Sequence, residues 1–179
     1  NKKFIYGSLK PGARAKDFEI AIQWLVDAGL VYKVPLCKEV KLPLKVYEDP
    51  SAFKLFTLDL GLLGAMVGTE AKQVLINNDI FSEYKGGMTE QYVLEEMKSN
   101  GEENIFYHKS DDGTRLEIDF MIQRDGRLLP IEVKAEGNVR ANSLSNLLKR
   151  TPELHAFRYS MKPYIKQEHM TCYPLYAVQ

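Results

Sequence analysis

The sequence predicts an α/β fold in which an antiparallel meander of strands is flanked by helices. Three observations predict it. Residues 115–134 read as two strands around Asp125-Gly126, a dipeptide that favours a two-residue hairpin turn because Gly, and to a lesser degree Asp, tolerates positive φ. Residues 17–28 and 88–98 carry apolar side chains at three- and four-residue spacing, as an amphipathic helix does. Short apolar runs at residues 30–34, 53–58, 104–109 and 155–160 lie between turn signals and read as strands.

Taken in order, the elements begin with a basic lead-in. Lys2, Lys3, Lys10, Arg14 and Lys16 precede the first acid, Asp17, and residues 1–45 hold nine Lys or Arg against four Asp or Glu. Such a run is a solvated connector in one reading and a phosphate-contacting arm in another. In the helix at 17–28, Phe18, Ala21, Ile22, Leu25 and Ala28 form the apolar stripe and Trp24 widens it; Asp17 can cap its start and Gly29 its end. A short strand at 30–34 follows. Pro35, Pro43 and Pro50 punctuate a loop-rich bridge over 35–52, the best candidate boundary, which gives domains of 1–50 and 51–179. A strand at 53–58 leads to a small-residue helical turn at 61–67, a short helix at 70–76 and a loop at 77–87.

The helix at 88–98 carries Glu90 on the face of Val93, Leu94 and Met97, so its carboxylate points inward among apolar side chains. The helix by itself favours an N-terminal Glu stabilised by the macrodipole. Gly101 ends the helix, a strand at 104–109 turns through Ser110-Asp111-Asp112-Gly113 into the hairpin, and three strands make the meander. Beyond Lys134 come a loop, a helix at 143–150 stopped by Pro152 with Ser143 in a capping role, a strand at 155–160, and an apolar segment at 170–178.

The hairpin sets a register. With Arg124 facing Arg127, Asp119 lies opposite Glu132 and Glu117 opposite Lys134. Alternation then puts Ile118, Phe120, Ile122, Leu129, Ile131 and Val133 on a core face and Glu117, Asp119, Glu132 and Lys134 on a charged one. A charged face is commonly a solvated surface, here with a Glu117–Lys134 ion pair. Two directly opposed carboxylates, however, repel unless a cation lies between them. A divalent metal with oxygen ligands suits that place, with Lys134 beside it.

These residues resemble a known pattern. Asp119, a twelve-residue gap and Glu132-Val133-Lys134, embedded in Ile118-Asp119-Phe120 and Pro130-Ile131-Glu132-Val133-Lys134, resemble the signature of the PD-(D/E)xK nuclease superfamily. The segments Gly86-Gly87-Met88-Thr89-Glu90-Gln91-Tyr92-Val93, Phe53-Lys54-Leu55-Phe56-Thr57-Leu58-Asp59-Leu60-Gly61-Leu62-Leu63 and Pro174-Leu175-Tyr176-Ala177 are similar to one group in it. That group is the nuclease-like C-terminal domain, of unassigned function, that follows a P-loop AAA-type ATPase in bacterial and archaeal proteins.

The resemblance implies a restriction-endonuclease-like core, a mixed sheet whose antiparallel meander is flanked by helices, preceded by a partial winged-helix-like connector over 1–50. It also implies site residues: Glu90, Asp119, Glu132 and Lys134 as the catalytic set, and Asp119, Glu132 and the Val133 carbonyl as ligands of Mg²⁺ or Mn²⁺. Lys134 would position and help deprotonate the attacking water or stabilise charge on the phosphate, and Glu90 would anchor the metal's water shell. ATP would bind only in the N-terminal ATPase portion. That portion is not in this chain, which begins at Asn1, has no Walker-type phosphate loop and reads as a fragment of a longer protein. The partners implied are nucleic acid, with DNA favoured, and the protein's own ATPase domain. The alternative is a catalytically silent nuclease fold kept as an interaction or regulatory module of that ATPase.

Composition limits these readings. Twenty-four basic and 24 acidic residues cancel, which argues against gripping nucleic acid by overall field. Lys109, Arg115, Lys149 and Arg150 are the candidates for phosphate contact. No apolar run approaches a membrane span and no signal peptide is visible, so the expected location is cytoplasmic, with no membrane partner. Cys37 and Cys172 lack metal-ligand spacing and read as reduced buried thiols. His108, His155 and His169 form no ligand motif.

Overall fold

The computed structural model describes residues 4, 14–68, 82–110, 116–135 and 142–178. Among them, eight strands form one mixed sheet, with four helices. In chain order these are α1 (Ala15–Asp27), β1 (Val31–Cys37), β2 (Glu48–Thr57), α2 (Leu60–Val67), α3 (Ser82–Ser99), β3 (Phe106–Lys109), β4 (Glu117–Arg124), β5 (Arg127–Lys134), α4 (Asn142–Arg150), β6 (Ala156–Ser160), β7 (Ile165–Lys166) and β8 (Met170–Pro174). The spatial order is β2-β1-β3-β4-β5-β6-β8-β7.

The expected meander β3-β4-β5 is antiparallel throughout. Its flanks make the sheet mixed: β1 runs parallel to β3, and β6 parallel to both β5 and β8. The β5-α4-β6 connection is a crossover, since parallel neighbours need a long return path. Asp125 and Gly126 make the turn at φ 51° and 70°, and Arg124 faces Arg127. The register derived from that turn therefore holds along the ladder as far as Phe120 opposite Ile131.

Several boundaries differ from the sequence reading. Instead of a loop-rich bridge over 35–52, strand occupies both ends of it, because its prolines sit where the ladder tolerates a missing N–H. Pro35 adjoins a register shift in β1, and Pro50 lies in β2, an edge strand. Helix α3 starts at Ser82 rather than at residue 88, carrying Gly86 and Gly87 within it. The two-residue β7 was not foreseen. The helix expected at 70–76 and the turn at 111–113 lie outside the described residues, as does Arg115; of the Ser143 side chain nothing is described.

The sheet buries both faces, not one. Phe120, Ile122, Ile131, Val133 and Tyr159 pack with Val93, Leu94 and Met97 of α3. Ile118, Met121, Leu128 and Ala156 pack with Leu144 and Leu147 of α4. The expected single core face thus gives way to two, and Met121, placed on the charged face by strict alternation, is completely buried. A β-bulge explains the change of phase. Phe106 faces Met121 while His108 faces Ile118, so between these pairs β4 spends three residues where β3 spends two. The extra residue falls at Asp119-Phe120 and reverses the alternation there. Near the other end of the chain, α1 buries Ile22 but leaves Ile20 and Trp24 exposed. Cys37 and Cys172 are both buried.

Candidate functional site

The bulge aims Asp119. Ile118 faces α4, so Asp119 and then Phe120 both turn to the α3 side. Beyond Phe120 the β4–β5 ladder is replaced by a side-chain bond, in which the Val133 N–H donates to Asp119 Oδ2 at 2.8 Å. Glu132 and Lys134 alternate with Ile131 and Val133 and take the other phase. The four charged residues expected on one face are therefore divided between two phases and meet only at the end of the two strands.

Helix α3 delivers Glu90 to the same place. Val93, Leu94 and Met97 are wholly buried, which confirms the inward face read from the sequence. Gln91, also buried, fixes the helix against β2: its Nε2 donates to the Thr57 carbonyl at 2.7 Å and its Oε1 accepts from the Thr57 N–H at 3.1 Å.

One member was missed. Lys54, 1% exposed, lies in β2 in phase with buried Ala52 and Phe56, so it occupies a core position. Its Nζ is 3.0 Å from Glu117 Oε1 and 3.9 Å from Glu90 Oε2, and 5.1 Å from the centre of the Tyr107 ring. Glu117 thus pairs with Lys54, and at 3.9 Å with Lys109, instead of with Lys134. Lys134 pairs with Glu132. The available signal was a lone Lys in the apolar run Ala52-Phe53-Lys54-Leu55-Phe56, where burial requires a partner.

Electrostatics separate these groups. Burial raises the Glu90 carboxyl to about 7, helped by the Asp119 carboxylate and opposed by Lys54. Burial also raises Asp119, against the stabilising Val133 N–H and the Lys54 and Lys134 charges. Glu132, 3% exposed, is raised by burial and then by Asp119, against Lys134 and Arg158. For Lys134 burial works against the charge, but Glu132 and Asp119 outweigh it and hold its pKa above the ordinary value. Three carboxyls that resist ionisation thus share one site with two cations.

The donor set suits a hard cation. Glu132 Oε2 is buried without a hydrogen-bond partner, and carboxylate and carbonyl oxygens are what Mg²⁺ and Mn²⁺ accept. Among the described residues, however, no three His, Cys, Asp or Glu side chains are grouped to hold a metal. Of the phosphate-contact candidates, Lys109 reaches this end through Glu117. Lys149 and Arg150 close α4 where the chain returns to the start of β6, at the opposite end of the sheet from Lys134. A recess of about 980 Å³ also lies at that far end, around Asp125-Gly126 with Val40, Leu42, Arg127 and Phe157 in its lining.

A search of the curated proteins found no match. Among solved structures, the crystal structure of protein VC1899 from Vibrio cholerae is similar at a TM-score of 0.35 and 12% identity, over 98% of this chain and 43% of that one. This chain therefore spans less than half the length of that protein. Residues 1–73 match DUF8612, a domain of unknown function. Residues 85–177, which hold Glu90, β3, the β4–β5 hairpin and the three strands after it, match a second family over more than half of the chain; the chain belongs to DUF4143, a domain of unknown function.

Proposed function

We propose that this chain is a nuclease-like domain that hydrolyses phosphodiesters in nucleic acid, DNA in preference to RNA, with Mg²⁺ or Mn²⁺. One observation carries the reading: Asp119 and the buried, partly unpartnered Glu132 converge at the end of β4 and β5 with Lys134 beside them. Asp119, Glu132 and the Val133 carbonyl would hold the ion, which supplies Lewis-acid stabilisation of charge on the phosphate. Lys134 is held charged by two carboxylates, so it serves as an electrostatic contact to phosphate oxygens and not as a base. Glu90, with its carboxyl near 7, is matched to taking a proton from water at neutral pH. Lys54 positions Glu90 and Glu117. The wider setting belongs to the same proposal: a restriction-endonuclease-like core, a winged-helix-like connector before it, an AAA-type ATPase upstream and a cytoplasmic location.

Melting curves with and without millimolar Mn²⁺ test the metal, because a ligand of the native state stabilises it by about 2.7 kcal/mol at a hundredfold excess over Kd. Asp119→Asn should raise the melting temperature without metal, by removing a carboxylate that is costly to bury, and abolish the Mn²⁺-dependent rise. Lys134→Ala should keep most of that rise and lose cleavage of single- and double-stranded substrates.

A silent interaction module is the second reading. The observation favouring it is Lys54, a resident cation among the carboxylates, together with the lack of a three-group metal cluster among the described residues. Calorimetry that detects no Mn²⁺ binding would make it the better account.

A further inference from the structure

We propose that the exposed segment Met161 to Lys166 is a platform that grips single-stranded nucleic acid and leads it to the Asp119–Glu132–Lys134 site. The inference rests on the phosphodiesterase reading for its destination, and on three independent features of the segment itself.

The first is position. Strand β6 runs parallel to β5 with Ser160 beside Lys134, so Met161 and Lys162 leave the sheet at the site's own end. The Lys162 N–H donates to the Oγ of buried Ser160 at 3.2 Å, which fixes the first bend of the segment there.

The second is charge. From Ala156 to Gln167 there are three cations, Arg158, Lys162 and Lys166, and no acid. Among the described residues neither Lys162 nor Lys166 has a carboxylate partner. Both are exposed and available to phosphate, unlike Lys54 and Lys134, whose charges are already opposed.

The third is exposed apolar surface. Every residue from Met161 to Glu168 is exposed, yet they include Met161 at 73%, Tyr164 at 55% and Ile165 at 47%. Lysines on an edge strand are ordinary protection against sheet extension, but that function gives no reason to expose a Met, a Tyr and an Ile beside them. The Tyr164 ring is also held in place. It meets Tyr173 edge-on at 5.5 Å, and Tyr173 meets Phe157 edge-on at 5.3 Å, so the exposed ring is mounted on a cluster of aromatic side chains. A fixed, half-exposed ring between two free lysines suits an unstacked base flanked by phosphates. Duplex DNA keeps its base faces covered, which is why the segment selects single strands.

Fluorescence anisotropy with a labelled oligothymidylate and a duplex of equal length tests this on the whole chain, without metal so that cleavage does not interfere. The parent should bind the single strand more tightly than the duplex. Tyr164→Ala should weaken binding about tenfold, the loss of one base stack, while Tyr164→Phe restores it. Lys162→Gln with Lys166→Gln should flatten the dependence of log K on log salt by about 1.4, the share of two phosphate contacts on a single strand. Melting temperatures should stay near the parent's, since these side chains are exposed. Binding that is absent, that prefers the duplex, or that ignores all three substitutions overturns the platform. Binding that behaves as stated, with no cleavage on adding Mn²⁺, upholds the platform and overturns the hydrolytic reading instead.

Discussion

Glu90 and Lys54 show how single residues set the site's behaviour. A carboxyl raised to about 7 by burial, from the ordinary range near 4.5, binds its proton more tightly in the folded than in the unfolded state. Its contribution to stability is therefore full below about pH 4.5 and is lost as pH rises through about 7. Asp119 and Glu132, raised in the same direction, add to the trend. The metal-free protein should lose melting temperature between pH 5 and pH 8, and Glu90→Gln should flatten that fall; an unchanged slope in the variant would remove Glu90 as its cause. Lys54→Met tests the other side of the pair. Removing one member of a buried ion pair costs about 3 kcal/mol or more, so the variant should be destabilised by that order at pH 8. At pH 5, where Glu90 is protonated and needs the cation less, denaturant titration should give a smaller loss.

Among the elements, β4 carries the information that matters most. Its bulge lets one strand supply Ile118 and Met121 to the α4 side, and Asp119 and Phe120 to the α3 side. Were alternation strict, Met121→Ala would be mild and Phe120→Ala severe. With both side chains wholly buried, Phe120→Ala should cost about 3–5 kcal/mol and Met121→Ala about 2–5 kcal/mol, whereas exposed Gln123→Ala should stay within about 0.5 kcal/mol. Urea unfolding midpoints measure the order, and a Met121 variant as tolerant as the Gln123 variant would contradict the two-sided packing. The signal for two-sided burial was present in the unbroken apolar runs Phe120-Met121-Ile122 and Leu128-Leu129-Pro130-Ile131, which a sheet with one wet face does not need.

Across the whole molecule, features that depend on neighbours along the chain are legible in the residues themselves. The Asp125-Gly126 turn fixed the hairpin register because a two-residue loop leaves no slack, and helical spacing turned Glu90 inward with Val93, Leu94 and Met97. The proximity of Asp119, Glu132 and Lys134 was legible for the same reason, since one hairpin contains all three. The remaining features come from contacts between distant segments. The bulge at Asp119 arises from pairing with β3, so nothing within β4 announces it, and it divides the charged residues between two phases. Lys54 reaches Glu117 and Glu90 from a strand far away in sequence and displaces the Glu117–Lys134 pair that the hairpin alone suggested. The parallel placement of β6 beside β5, which makes Met161 and Lys162 leave the sheet at the site's end, required a crossover through α4. Contacts of this kind are set by which strands become neighbours, a property of the assembled sheet and not of any segment in it.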